Sequence, residues 1–230
     1  MREIKISDSE LGEANIRYLY DALYGALSDF NGGIEAKTDE HRSVLTLSCE
    51  KQYSDFIRCE AEDKIAEIIA VKYKYEYFKK TVKPIGLNAF EQELLIDALI
   101  SADIDDDKKY IVRKLKHFSE YAIDGVFNFR LIPLKRKWEE IAGYIPPYFS
   151  GERLKDFISF LLTEKRGKTA IIENGIVYDQ RFNPLNRTAL IGQTGEGRII
   201  KETILSGCGE VKVLCSLPEL DEKYLKMYFG

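Results

Sequence analysis

The period of the apolar residues shifts between that of strands and that of helices along this chain, and where it shifts decides which architectures are open to it. Near the start, 2–6 (REIKI) and 43–48 (SVLTLS) alternate apolar with polar residues, the mark of half-buried strands. From about residue 50 to 163 the spacing becomes that of amphipathic helices. From 168 onward short β-rich runs return, set around Asn174 and Gly175. That dipeptide suits a two-residue hairpin turn, because both central positions need positive φ. The fold class expected is α+β: a helix-rich middle with short strands at the N-terminal and C-terminal ends, the two sets of strands open to sharing one mixed sheet.

In detail the chain reads as a β-α-β-β opening, a long helix, a helical region and a small C-terminal α+β region. Strand 2–6 precedes a helix with Ser9 as N-cap and Leu19, Leu23, Leu27 and Phe30 inward, stopped by Asn31, Gly32 and Gly33. Strands at 34–37 and 43–48 flank a turn at 39–42. The helix over 50–80 turns Phe56, Ile65, Ile68 and Ile69 inward. Its last turns, KYKYEYFKK, also alternate as a strand would, but Lys72 with Glu76 and Glu76 with Lys80 stand at i,i+4 and favour helix. Helices follow at 88–102 and 106–121. The segment 123–142 is interrupted by Pro133, which removes a backbone donor. A connector at 143–149 leads to a helix capped by Ser150, then to the hairpin, a strand at 188–191, a helix at 199–205, a strand at 211–215 and a closing helix at 218–229. The expected divisions are 1–85, 86–166 and 167–230, open to packing as one compact unit.

A chain of 230 residues, 45% hydrophobic and 31% charged, holds a core without metal or disulfide. The start has no apolar signal region and no run is long enough to span a bilayer, so a cytoplasmic protein without membrane insertion is expected. Cys49, Cys59, Cys208 and Cys215 lack metal-site spacing and read as ordinary buried or half-buried thiols. The net charge of −4 is unevenly spread: 108–168 carries 14 basic against 7 acidic residues, the remainder 20 against 31. A basic middle between acidic ends makes either a docking face or segments that attract one another.

The motifs for chemistry mostly fail. Asp103, Asp105 and Asp107 open like a calcium loop, but Lys108 and Lys114 stand where that loop needs Gly and a bidentate Glu. Acidic residues in the first turn of a helix are the better reading. Gly192, Gly195, Gly197 and Arg198 sit where a phosphate loop would, yet Arg198 replaces its lysine and Ile199 the hydroxyl that would hold magnesium. What survives is a backbone able to hold an anion or nucleotide, beside the plainer reading of a surface loop. His41 and His117 read as surface residues, and no catalytic arrangement, cofactor or metal is expected. Arg130, Lys135, Arg136, Lys137 and Trp138 form a basic cluster for a protein partner. With Trp138 as a stacking platform they would track nucleic acid, and with Trp138 buried they are a solvated face. Arg130 also reads as a partner for Asp124.

Several strings resemble the YtxC-like sporulation protein family: the long helix with Ile65, Ile68, Ile69 and Tyr75; IDGVFNFRL at 123–131, similar to that family's DGF…FRL segment; Asp156, Phe157 and Ile158 followed by Leu161 and Leu162; and the closing IIKETILSGCGEVKVLCS with ELDEKYLKMYF. Val126 between Gly125 and Phe127, and Pro133, depart from that pattern. The resemblance implies a cytoplasmic protein of spore-forming bacteria and carries no catalytic residues with it. The function expected is thus a non-enzymatic interaction or scaffold protein docking through its basic face; the alternatives are an anion- or nucleotide-binding protein using the glycine loop, or a weak nucleic-acid binder.

Overall fold

The computed structural model of the chain describes residues 1–9, 12–39, 41–116, 120–165 and 167–230. The fold is α+β, and the strands of the two ends form two sheets rather than one: a four-stranded sheet in the order β2-β3-β1-β4 and a three-stranded sheet in the order β6-β5-β7. The chain divides into two compact units, one from 1–72 with 105–137, the other from 73–104 with 138–230.

In the first unit β1 (Arg2–Ser9) and β3 (Arg42–Cys49) run antiparallel, with Ile4 opposite Leu47 and Ile6 opposite Leu45. β2 (Gly33–Thr38) lies on the far side of β3, and α1 (Glu13–Asp29) crosses from β1 to β2, making a split β-α-β unit. One sheet face turns Ile4, Ile6, Leu45 and Leu47 into the core, where Leu19, Leu23 and Leu27 of α1 are equally buried. Each such side chain contributes about 1.5–3 kcal/mol by leaving water. The opposite face carries Lys5, Ser7, Thr46 and Ser48, as an antiparallel sheet with one solvated side should. α2 (Ser54–Ile68) follows a 3-10 turn and buries Ile57, Ala61 and Ile65. The unit is completed by α5 (Ile104–Leu115), β4 (Glu120–Ala122), α6 (Ile123–Arg130) and the first turns of α7 (Ile132–Tyr144). β4 pairs parallel to β1 and brings the buried Tyr121 beside Ile6, its hydroxyl donating to Glu62 at 2.7 Å.

The second unit is built on α4 (Ala89–Ala102), which is buried on most of its circumference. Asn88 caps it in a reciprocal box, accepting from Glu91 N at 2.9 Å while its own N–H donates to Glu91 Oε2. Around it stand α3 (Lys74–Thr81), α8 (Gly151–Glu164), α10 (Arg198–Ser206) and α11 (Glu219–Phe229). The second sheet, β5 (Thr169–Glu173), β6 (Ile176–Tyr178) and β7 (Glu210–Val213), follows α8 in the chain. Its hairpin turns on Asn174 and Gly175, at φ 50° and 75°.

Several expectations are corrected. Ser9 ends β1 and caps nothing; α1 begins after Gly12, where a Cβ would lie 2.3 Å from the Asp8 carboxyl carbon. The left-handed residue closing α1 is Asn31, not a glycine. The 50–80 helix carries a π turn at Ile69–Tyr73, whereas KYKYEYFKK is helical as expected. Phe56 is 48% exposed and lies edge-on to Phe30. The 123–142 segment breaks at Leu131, and Pro133 falls in the first turn of α7, where its missing N–H costs no helical bond. The 188–191 run is not a strand: α9 (Arg187–Leu190) is a helical turn. Ser150 does cap α8, accepting from Arg153 N at 3.3 Å. Glu40, His117, Phe118 and Arg166 lie outside the described residues.

Candidate functional site

The break at Leu131 shapes the basic surface of the first unit. Leu131 is itself fully buried, and pinning it turns the residues on either side outward: Phe129 is 77% exposed and Ile132 49%. Arg130 and Arg136 are exposed with them. Lys135 lies over the Phe127 ring, Nζ 4.1 Å from its centre, and donates to Asn128 Oδ1 at 3.2 Å. Partial burial there lowers the pKa of Lys135. A shallow groove of about 360 Å³ beside β4 is lined by Gly125, Val126, Phe129 and Arg130.

Two of the five residues expected at a docking face do not serve it in that way. Lys137 Nζ donates to Asp107 at 2.7 Å, and Asp107 is only 1% exposed, so this lysine neutralises a buried carboxylate. Trp138 has no exposed surface and packs against Tyr77, which removes it as a stacking platform. Asp124 accepts from Arg42 Nη2 at 2.6 Å. Lys108 pairs with Asp63 at 2.9 Å, one contact between the basic stretch and an acidic one within this unit. The face that remains is the exposed Arg130 and Arg136 with the half-buried Lys135, joined by Phe129 and Ile132. Sequence periodicity misses the last two, because it assigns apolar residues to the core without knowing that the helix phase restarts at Leu131.

The glycine loop lies in the second unit, and its features are absorbed by the fold. Gly197 precedes α10 at φ 71°, and a Cβ there would come within 2.3 Å of the Phe90 ring. Gly192 and Gly195 have positive φ in open space, a conformational need and not a close approach. Arg198 Nη2 donates to Gly175 O at 2.6 Å, tying α10 to the hairpin turn. At the N-terminus of α10, where an anion would be held, the Asp221 carboxylate accepts from Ile200 N at 2.8 Å. Burial raises the pKa of Asp221 despite that bond. A carboxylate of the chain already stands where a phosphate would, and this geometry weighs against the anion-loop reading.

The same loop reaches a buried polar cluster. Asp97, mid-way along α4, is completely buried, and Gln193 Nε2 donates to its Oδ1 at 3.3 Å. Asp97 Oδ2 and Gln193 Oε1 are also buried, and neither has a hydrogen-bond partner among the described residues. One turn earlier Glu93 pairs with Lys201 of α10. Glu202, fully buried, accepts from Arg187 N at 2.9 Å, from Thr188 N at 2.8 Å and from Thr188 Oγ1 at 2.6 Å. Burial pushes the Asp97 carboxyl well above the usual carboxylate range; Lys201 and the Gln193 bond pull the other way, and Glu93 and Glu202 add to the rise.

Asp105, Asp106 and Asp107 occupy the first turn of α5, as the helix dipole favours, and Asp103 pairs with Lys74. Among the described residues no three Asp, Glu, His or Cys side chains gather so as to hold a metal ion, and no helix is long and apolar enough to cross a membrane. All four cysteines are free; Cys49 and Cys208 are buried and Cys215 half-buried as expected, whereas Cys59 is exposed. His41 is exposed in its turn. No protein-family model, no curated protein and no solved structure matches this chain.

Proposed function

We propose that this protein is a non-enzymatic interaction protein that docks a partner on the α6–α7 surface, with Phe129 and Ile132 as apolar contacts and Arg130, Lys135 and Arg136 around them. The observation that carries the reading is the pairing of a phenylalanine left 77% exposed with guanidinium groups on the same short segment. Aromatic side chains and arginine are the types enriched at the centre of protein interfaces, and an arginine gives up its hydration more readily than a lysine. The partner this face suits is a protein segment bearing carboxylates beside apolar side chains. The segment 123–131 also carries the resemblance to the YtxC-like sporulation family, which supports a setting in the cytoplasm of spore-forming bacteria.

The test is a photo-crosslinking residue placed at Ile132, with a control at the exposed Lys80. The proposal expects one discrete crosslinked protein from position 132 and none from the control, lost in R130E/R136E while the far-UV spectrum is unchanged. Crosslinking that is equal at both positions, or insensitive to the double reversal, would overturn it. Crosslinks to nucleic acid, with binding that falls steeply as salt rises, would replace it by the nucleic-acid reading.

A further inference from the structure

Two buried oxygens without donors among the described residues, in the same pair of side chains, call for a single explanation. Asp97 Oδ2 and Gln193 Oε1 are both acceptors as an ionised carboxylate and a carboxamide, so neither can satisfy the other. One proton satisfies both. We propose that Asp97 is carried as the neutral carboxylic acid and closes a two-bond ring with the Gln193 carboxamide, an acid latch that ties the 192–197 loop to α4.

Carboxyl and carboxamide are planar forks of matching width, so the pair can close two bonds at once. Gln193 Nε2 donating to Asp97 Oδ1 is the bond seen at 3.3 Å; Asp97 Oδ2–H donating to Gln193 Oε1 is its partner. The surroundings favour the neutral form. From α10, Lys201 faces this region, but its ammonium is engaged by Glu93, and Glu202 brings a second negative charge. From α3 comes Lys74, which pairs with Asp103, and α8 turns Leu154, Ile158 and Leu162 inward. An isolated carboxylate in such a place is costly, and the group takes up a proton instead. The backbone of the same residue is tied within the loop, Gln193 N donating to Thr188 O at 2.8 Å, and removal of the Asp97 proton would leave the Gln193 carboxamide beside a buried anion.

The decisive variant is D97N, whose amide can make both bonds with no titration. A carboxyl whose pKa is raised by folding stabilises most below its unfolded pKa and loses that contribution as pH rises toward the folded value. Urea unfolding across pH should therefore show the unfolding constant of the wild type rising against that of D97N by tenfold per pH unit above about 4. In the wild type alone, the amide protons of Gln193 and Thr194 should lose protection against exchange once Asp97 ionises, more than the chemical rate requires. A ratio of unfolding constants independent of pH would overturn the latch, because an aspartate with an ordinary pKa predicts that result. Should D97N fail to fold, the carboxyl ¹³C resonance of Asp97 in the wild type at about pH 6 decides: the shift of a neutral acid supports the latch and that of a carboxylate sinks it.

Discussion

Lys74 has no exposed side-chain surface, and its ammonium is set against the Asp103 carboxylate, with the Phe78 and Trp138 rings 5.8 and 5.9 Å away. Such a pair contributes little over a well-packed apolar replacement, yet removing one member strands the other charge. K74A should therefore destabilise the protein by about 3 kcal/mol in urea unfolding, and K74L/D103L by less than either single change. A double variant no better than K74A would show that the two groups do not act together. Glu202 follows the same rule by other means, since three donors converge on a carboxylate that no solvent reaches. At this scale sequence reading is weakest. Nothing in the sequence around Asp97 or Lys74 announces burial, because the partners, Gln193 and Asp103, are brought by the fold.

Among the elements, those specified by local chemistry were legible. Asn174 and Gly175 specify their hairpin, Ser150 its helix, and the alternation of 43–48 its strand. Gly175 sits at φ 75°, and a Cβ added there would meet nothing within 4 Å, so G175A tests backbone conformation alone. It should cost about 1 kcal/mol in thermal or urea unfolding, the penalty of a left-handed alanine, and a neutral result would mean the turn relaxes. Elements specified by distant contacts were not legible. β4 has three residues and exists because β1 offers an edge. The 188–191 run is too short for its period to separate strand from helix, and Glu202, fourteen residues on, settles it by accepting from Thr188 N. The candidate face falls between these cases. Its cations are visible in the sequence, whereas the exposure of Phe129 and Ile132 depends on a helix break whose place Pro133 indicates only to within two residues.

For the molecule as a whole, the division at 72, 104 and 137 means that neither unit is a continuous stretch of chain. The first lacks β4 and Tyr121 until residue 122 is present, and Glu62 then gains the donor it needs. The second needs α4 from one stretch and α10 from another. A chain cut after Ile104 should thus give two fragments, neither of which shows a cooperative thermal transition by circular dichroism, while co-expression restores one. A cooperative melt from fragment 1–104 alone would mean that the first sheet does not depend on β4.

The same interleaving has a consequence for synthesis. α4 leaves the ribosome with Leu94, Leu95, Leu99 and Ile100 outward, and α10 is made roughly 100 residues later. At about 5–20 residues per second, α4 waits for about 5–20 seconds before α10 can cover it. The nascent chain is most exposed to misassociation during that interval, and slowing translation between the two helices would lengthen it.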